Sequence, residues 1–361
     1  MTRSIRGLLL AAVLSLIAPL AAHAGLQALN QLFVFGDSLS DGGNYAGPGG
    51  PGTYPPSPYA STRYSNGPTA VEYLWQAYHP NDTSFKPSSL GGSNYALGGA
   101  TSGSNNFNAI NPQVPAALRQ WFGSQGGVGS QVTTFANNCD GCFNPDQSLF
   151  VVWAFPNDVF YNSALAMAGM AALSPEAVIT QGVANIKSAI QDLISEGATN
   201  FLIPNMPDLG NTPAFQGNNG LTGLTLAFNY ALSGALAELD QTMNNSVDIT
   251  LLDSFGTLND VITNKDKYGM KNVTQQCVQH LGDANNPCDP DSWLFWDGVH
   301  PTSAGHAILG AQFAAAIDVP EPASLWLMTL ALVLLGWRWR AHQLRFGTQA
   351  AWRPKSLPAP A

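Results

Sequence analysis

The chain has 361 residues, of which 45% are hydrophobic and 10% are charged, and it contains 36 glycines and 25 prolines. This composition supplies enough apolar side chains for a sizeable core and excludes a largely disordered chain. Between residues 25 and 320 lie 7 basic and 22 acidic residues, which gives a formal charge of −15. Because an acidic body repels phosphate backbones, we expect no nucleic-acid partner.

The N-terminal segment has the pattern of a secretory signal peptide. Two arginines precede an apolar run over residues 8–22, and the triplet Ala-His-Ala at 22–24 supplies the small residues that a signal peptidase reads. We therefore predict a signal peptide over residues 1–24 and an exported domain over residues 25–318.

Short apolar runs alternate with longer amphipathic segments through this domain. Such alternation favours a parallel sheet covered by helices on both faces. The segment 42–68 is rich in Gly, Pro, Ser and Tyr, and a loop of that length in a compact domain usually binds or covers a ligand. We predict strands at 32–35, 149–153, 200–204 and 248–253, and helices at 175–196 (capped by Ser174), 222–243 and 303–317.

A candidate nucleophile follows the first predicted strand, in the sequence Gly36-Asp37-Ser38-Leu39. A serine on the turn between a parallel strand and a helix points into the crevice where open α/β folds bind ligands. We expect a helix after this turn, so that backbone N–H groups and the helix dipole can stabilise an oxyanion. Taken alone, the turn is equally consistent with an ordinary helix cap.

The four cysteines enter an oxidising compartment if the chain is exported. Their local spacing favours disulfides between Cys139 and Cys142 and between Cys277 and Cys288, although four cysteines allow three pairings. A thioredoxin-like redox role for the first pair is the alternative, against which the acidic Asp140 counts. A zinc site would need a second such pair or nearby histidines, and none is evident.

A base and its carboxylate are found just before the last predicted helix. A serine hydroxyl needs a base within hydrogen-bond reach, and that base needs a carboxylate to orient it. Asp297 and His300, three residues apart, can supply both, whereas a capped turn is the plainer alternative. His306 is the second candidate for the base. We expect His79 and His280 to be surface groups with no carboxylate partner three residues away.

The C-terminal segment has the pattern of a short membrane anchor. Pro320-Glu321-Pro322 precedes an apolar run over 323–337, which is followed by Arg-Trp-Arg. Fifteen helical residues span about 22 Å, less than the roughly 30 Å of a bilayer core. The basic flank is nevertheless typical of a stop-transfer end held on the cytoplasmic side. We predict a short transmembrane helix within 319–340 and a basic tail over 341–361; a last core helix is disfavoured, since the run lacks a polar face.

This order of elements resembles the PEP-CTERM sorting signal of Gram-negative bacteria that make exopolysaccharide. The resemblance implies a membrane sorting machinery as partner, cleavage of the tail, and a destination at the cell surface or in the extracellular matrix. One departure is that 21 residues follow Arg340, where such signals usually end within a few.

Four blocks of the domain resemble, in the same order, those of the GDSL esterases and lipases, also called SGNH hydrolases. The first contains Gly-Asp-Ser-Leu, and the last contains Trp-Asp-Gly-Val-His-Pro. The resemblance extends from residue 32 to about 316, essentially the whole predicted domain. The blocks are residues 33–44, 94–101, 152–158 and 295–302, and further matches to the family lie at 63–68 and 204–210.

This resemblance implies a fold and a set of site residues. The family fold is a three-layer α/β/α sandwich with a mainly parallel sheet, of the flavodoxin-like kind. The family pattern makes Ser38 the nucleophile, His300 the base and Asp297 the residue that orients it. The oxyanion hole consists of the backbone N–H groups of Ser38 and Gly99 and the side-chain amide of Asn157. The resemblance implies no metal and no organic cofactor.

The third block departs from the family pattern, which usually has glycine two residues before the asparagine. This chain has Phe155 there, followed by Pro156. A bulky side chain at this position must turn away or occlude the crevice, and proline removes a backbone donor. We expect either a reshaped acyl pocket or a tolerated local shift.

The sequence therefore indicates an exported carboxylic ester hydrolase that works through an acyl-enzyme. Acyl transfer to an alcohol is an alternative because it uses the same intermediate. A surface protein that binds matrix polysaccharide without turnover is another. The aromatic loop between Tyr45 and Tyr64 is suited to a lipid chain or to sugar rings, so a lipid ester and an acylated polysaccharide both stay open as substrates.

Overall fold

A computed structural model describes residues 26–52, 54–244 and 246–317 of the chain. Four parallel strands form the central sheet. The strands lie in chain order across the sheet, and each predicted strand agrees with an observed one to within one residue at either end. The first three are buried along nearly their whole length because both faces of the sheet are covered. The strands are Gln31–Gly36 (β1), Ser148–Trp153 (β2), Asn200–Pro204 (β3) and Asp248–Leu252 (β4).

The free edge of β1 is extended by a short segment that follows it in sequence. Tyr95 N donates to Val34 O at 2.7 Å, and Leu97 N donates to Gly36 O at 3.1 Å. Val34 and Asn94 form an isolated parallel bridge. Counted with this segment, the sheet has the order 2-1-3-4-5, which is that of flavodoxin-like folds.

Helices cover both faces of this sheet. The helices predicted from the sequence are observed with small shifts at their ends, and Ser174 Oγ accepts from Ala177 N at 3.3 Å as the expected cap. The described residues also contain five α-helices that were not predicted. In chain order the helices are Ala70–Tyr78 (α1), Ala116–Gln125 (α2), Val128–Asn138 (α3), Pro156–Met167 (α4), Pro175–Ser195 (α5), Asn219–Thr242 (α6), Ser254–Thr263 (α7) and Ser303–Ala316 (α8).

Alternation along β1 shows how the three layers are built, because successive strand residues face opposite sides of a sheet. Phe33 and Phe35 pack in one buried cluster with side chains of α3, α5 and α6. Leu32 and Val34 pack in a second cluster with side chains of α1 and α8. The predicted α/β fold with helices on both faces of a parallel sheet is therefore confirmed.

A smaller parallel pair lies outside the central sheet. It joins Asn272–Gln276 (β5) to Trp293–Phe295 (β6), neither of which was predicted. Strand β6 leads into the turn that carries Asp297 and His300, and α8 follows that turn.

Two disulfides join Cys139 to Cys142 and Cys277 to Cys288. Cys139 is the C-terminal cap of α3. A redox-active pair gains its reactivity at a helix N-terminus, so this placement counts against the thioredoxin-like alternative.

Several predictions fall outside the residues that the structure describes. These are the signal peptide over 1–24, the sorting segment over 319–340 and the tail over 341–361. Within the described part of the chain, no helix is long and apolar enough to cross a membrane.

Candidate active site

The structure brings Ser38 and His300 into contact, although 262 positions separate them in the sequence. Oγ of Ser38 lies 2.7 Å from Nε2 of His300. Ser38 follows β1, and His300 lies on the turn before α8. Both side chains lie at the carboxyl edge of the sheet, where ligands of open α/β folds bind.

The chain after Ser38 differs from its prediction, because no helix follows β1 directly. The N–H groups of Ser40 and Asp41 both donate to Asp37 O, at 3.1 and 3.0 Å, which forms a single turn. The carboxylate of Asp41 then accepts from Gly43 N and Asn44 N, at 2.8 and 2.9 Å. A side chain that bonds nearby N–H groups in this way competes with helix formation. The expected helix dipole is therefore absent here, and the next α-helix in the described chain is α1.

Asp297 holds the ring of His300 from its other nitrogen. His300 Nδ1 lies 2.9 Å from Oδ1 and 2.8 Å from Oδ2 of Asp297. Oδ1 also accepts from Val299 N at 2.9 Å and from His300 N at 2.8 Å. A carboxylate with these partners keeps the proton on Nδ1, which leaves Nε2 free to accept from the Ser38 hydroxyl.

The charges of this pair stabilise each other in a buried place. Burial acts to raise the pKa of Asp297, but the attraction of His300 and the hydrogen bonds outweigh it and hold that pKa below its usual range. Burial acts to lower the pKa of His300, but Asp297 and Asp37 outweigh it and raise that pKa. The arrangement therefore favours the protonated form of the His300 imidazole.

The other histidines that the structure describes do not contact Ser38. His306 does not line the cavity at Ser38; its Nδ1 accepts from Ala70 N at 3.3 Å, and burial lowers its pKa to about 3. The ring of His79 stacks on Trp75. The expectation that neither His79 nor His280 has a carboxylate three residues away was wrong for both. Asp283 lies three residues after His280, with its Oδ2 3.2 Å from Nδ1 of His280, and Asp82 lies three residues after His79, where Asp82 N donates to His79 O at 3.1 Å.

A cavity of about 290 Å³ opens at Ser38. Among its lining side chains only Asp37, Asp297 and His300 are ionisable acids or bases of the ordinary pH range, and most of the others are apolar or aromatic. A neutral, largely apolar ligand group suits such a lining. The aromatic members are Tyr54, Tyr59, Tyr64, Phe107, Trp153, Phe160 and Phe295, and the aliphatic ones include Leu39, Leu209, Leu258, Val261, Leu294, Ile308 and Leu309.

The three predicted oxyanion donors all line this cavity. The N–H groups of Ser38 and Gly99 donate to no other protein atom in the part of the chain that the structure describes. Gly99 has φ +80°, and a Cβ there would lie 2.5 Å from Oδ1 of Asn106, so glycine is required. The Asn157 amide gives one N–H to Asp37 Oδ2 at 3.2 Å and has a second N–H available.

Phe155 turns away from the cavity. Its φ is +126°, and its ring stacks on Phe228 at 3.7 Å between centroids, inside the core. Gly182 leaves room for this ring, since a Cβ there would lie 2.3 Å from it. Pro156 is the first residue of α4, where a missing N–H breaks no helical hydrogen bond. Of the two expectations, the structure favours the local shift.

Three residues of the site were not singled out by sequence reasoning. Tyr59 donates from its hydroxyl to Asp297 Oδ2 at 2.8 Å, and the ring of Tyr64 lies 5.1 Å from that of His300. Asp37 accepts from both Leu39 N and Asn157 Nδ2. Burial raises the pKa of Asp37 to about 7. The tyrosine-rich composition of segment 42–68 was the available signal, but nothing in it distinguishes one tyrosine from another.

The described residues contain no group of three or more His, Cys, Asp or Glu side chains placed to hold a metal ion.

Comparisons with known proteins agree with the two resemblances. A family model described as GDSL-like Lipase/Acylhydrolase matches residues 32–313, and a PEP-CTERM protein-sorting motif matches residues 318–341. A GDSL esterase/lipase of Arabidopsis thaliana is 26% identical over 328 residues, which cover 79% of this chain and 85% of the relative. Lipase 1 of Photorhabdus luminescens is 28% identical over 62% of this chain and 30% of its own length.

Solved structures with a similar course of the chain include an acetylxylan esterase from Geobacillus stearothermophilus. It has 14% sequence identity and a TM-score of 0.42, with 82% of this chain and 99% of that chain covered. An α/β hydrolase from the metagenome of Lake Arreo has the same identity and coverage and a TM-score of 0.43.

Proposed function

Because the chain belongs to the GDSL-like lipase/acylhydrolase family, a family of carboxylic ester hydrolases, we propose that it cleaves esters through an acyl-enzyme on Ser38. The observation that carries this proposal is the contact of 2.7 Å between Ser38 Oγ and His300 Nε2, with Asp297 on the other ring nitrogen. A base that contacts the hydroxyl, together with a carboxylate that contacts the base, activates the hydroxyl as a nucleophile.

The reaction begins when the Ser38 hydroxyl attacks the ester carbonyl and gives its proton to His300 Nε2. Asp297 stabilises the imidazolium that forms. As the tetrahedral intermediate collapses, His300 passes the proton to the departing alcohol, and the acyl group stays on Ser38. A water molecule then gives a proton to His300 and attacks the acyl-enzyme, which releases the carboxylic acid and restores the hydroxyl.

The oxyanion of each tetrahedral intermediate is held by three donors in this proposal. They are the N–H groups of Ser38 and Gly99 and the free N–H of the Asn157 amide. Their position in one cavity, and the absence of other described acceptors for the two backbone groups, support this role.

The lining of the cavity supports a broad class of substrates. A neutral acyl group suits walls that are mostly aliphatic and aromatic, so we propose esters of lipids or acylated polysaccharides.

Acyl transfer to an alcohol is distinguished from hydrolysis by adding glycerol and measuring whether product ester replaces free acid.

The sorting motif indicates export and C-terminal sorting to the cell surface. We further propose that residues 1–24 are removed on export and that residues 25–318 are the hydrolase domain. The segment 319–340 then anchors the chain in the inner membrane until the sorting machinery processes it. The final location would be the surface or matrix of a Gram-negative bacterium.

Replacement of the nucleophile tests the proposed function. We expect Ser38→Ala to lower the turnover of a short p-nitrophenyl ester by about 10⁴-fold or more, with an unchanged circular dichroism spectrum. A folded Ser38→Ala variant with hydrolysis comparable to the wild type would contradict the assignment. A wild type that binds matrix polysaccharide but cleaves no ester would favour the non-catalytic alternative.

A further inference from the structure

We propose that Tyr59 is a positioning residue for ester cleavage, whose hydroxyl fixes the carboxylate that in turn orients His300. The inference rests on the proposed function, because it assumes that Asp297 and His300 act on Ser38. Tyr59 lies in the segment 42–68, 238 positions before Asp297, and it lines the same cavity.

The hydrogen bonds of the Asp297 carboxylate show what Tyr59 contributes. Oδ1 accepts from the backbone N–H groups of Val299 and His300, so local backbone fixes this oxygen. Oδ2 accepts from the Tyr59 hydroxyl at 2.8 Å and faces His300 Nδ1 at 2.8 Å. Among the described residues, Asp297 Oδ2 has two hydrogen-bond partners, which are the His300 ring and the Tyr59 hydroxyl. Without it, the oxygen nearest to the His300 proton has no second donor.

The hydroxyl is held in place by aromatic packing. The Tyr59 ring meets Trp296 edge to face at 6.1 Å and Tyr64 at 6.4 Å. The Tyr64 ring lies 5.1 Å from the His300 ring, so both tyrosines contact the proposed catalytic pair. Burial, with the nearby charge of Asp297, raises the pKa of Tyr59 well above its usual value. The phenol therefore stays protonated and acts as a donor at any pH where the enzyme works.

Loss of the Tyr59 hydroxyl is expected to change the pKa of His300 as well as the orientation of its ring. A donor on Oδ2 draws charge from the carboxylate, and its removal strengthens the attraction between Asp297 and a protonated His300. The pKa of His300 then rises further. The other ionisable groups that act on or contact His300 are Asp37, which follows β1, Tyr64, and His306 of α8, and all three are the same in the wild type and in Tyr59→Phe. Because the base must be neutral to act, the acid limb of the pH profile is expected to move to higher pH.

The experiment compares Tyr59→Phe with Tyr54→Phe in the full-length protein. Tyr54 lies in the same segment and lines the same cavity, but its hydroxyl has no hydrogen-bond partner in the described chain. With a short p-nitrophenyl ester, we expect Tyr59→Phe to lower kcat about 10-fold, the effect of one lost hydrogen bond to a charged group, with little change in KM. We also expect the acid limb of kcat/KM to move to higher pH. Tyr54→Phe should leave the limb in place.

A second variant keeps the test decisive if Tyr59→Phe folds poorly. Replacement of Tyr59 by 3-fluorotyrosine retains the shape and makes the phenol a stronger donor, so the acid limb should move to lower pH. An unmoved limb in both variants overturns the inference, even if kcat falls, because a merely structural role would lower activity without changing the base. If Ser38→Ala is inactive while these variants match the wild type, only the role of Tyr59 fails. If Ser38→Ala is active, the proposed function fails.

Discussion

The side-chain amide of Asn157 donates to the carboxylate of Asp37 over 3.2 Å, and both residues are buried. Asp37 directly precedes Ser38 in the chain, and its other oxygen accepts from Leu39 N at 3.0 Å. One carboxylate thus fixes both the turn that carries the proposed nucleophile and the amide proposed to hold the oxyanion. The turn after β1 and the first turn of α4, which follows β2, meet at this contact.

Removal of the Asn157 amide tests its role as an oxyanion donor. We expect Asn157→Ala to lower kcat by about 10²- to 10³-fold with a small change in KM, because the donor acts mainly on the transition state. The measurement is steady-state hydrolysis of a short p-nitrophenyl ester. Asn162→Ala in the same helix is the control, since that amide pairs with the backbone of Leu173 instead. Equal losses in the two variants would contradict the proposed role.

The buried Asp37 carboxyl makes stability depend on pH. Burial raises its pKa from 3.8 to about 7, so the folded state prefers the protonated form. The stability that the protonated Asp37 carboxyl contributes is fully present below its pKa of 3.8 in the unfolded chain. It is lost as the pH rises through the folded-state pKa of about 7. Between pH 5 and pH 8 the loss amounts to about 3 kcal/mol.

Asp37→Asn removes this titration. We expect the free energy of unfolding of the variant to fall less steeply between pH 5 and pH 8 than that of the wild type, as measured by urea denaturation. The exposed Asp192→Asn is the matched control and should leave the slope unchanged. Parallel curves for wild type and Asp37→Asn would show that this carboxyl is not the source of the dependence.

Phe155 combines a strained backbone with a favourable ring stack. Phe155→Ala is expected to destabilise the fold by about 3–5 kcal/mol, because it leaves a cavity against Phe228. Phe155→Gly loses the same ring but accepts φ +126° without strain, which is worth about 1–3 kcal/mol. The glycine variant should therefore be the more stable of the two in urea denaturation. The opposite order would mean that the backbone at this position is not strained.

The regular core was predictable because its sequence patterns are strong. The runs of β1 to β3 are short, apolar, buried and bounded by turn residues, and the buried residues of α5 and α6 recur at three- and four-residue steps. Helix α3 has the same spacing at Val128, Val132 and Phe135, but it is short and its two threonines and two valines favour strands, so local propensity does not account for it. It is stabilised by tertiary contacts instead, since Phe135 packs against Phe33 and Phe35.

The site was predictable only in part, because some of its residues lie in local motifs and others are placed by packing alone. Ser38, Asp297 and His300 stand in short motifs that are ambiguous alone, and their roles were predicted from the resemblance of four ordered blocks to one family. Tyr59 and Asp37 act through the directions of their side chains, which packing fixes and which no local pattern encodes. The same holds for Phe155, whose ring turns from the cavity into the core because Gly182 on another helix leaves space for it.

The cavity makes a prediction about acyl chain length. Its volume of about 290 Å³ exceeds the 150 Å³ or so of a cavity that binds benzene, so it has room for more than an acetyl group. We expect kcat/KM for p-nitrophenyl esters to rise about 4-fold per added methylene from acetate to hexanoate, from burial of about 0.8 kcal/mol per group. A profile that is flat or falls beyond acetate would instead favour an O-acetylated polymer as substrate.

Covalent labelling of Ser38 tests the proposed acyl-enzyme most directly. An alkyl p-nitrophenyl phosphonate reacts with a serine that a neighbouring base activates, and mass spectrometry identifies the peptide that carries the adduct. We expect one adduct per chain on Ser38, loss of esterase activity in proportion to labelling, and no adduct in Ser38→Ala. Inactivation with the adduct on a different residue and Ser38 unmodified would contradict the assignment of the nucleophile.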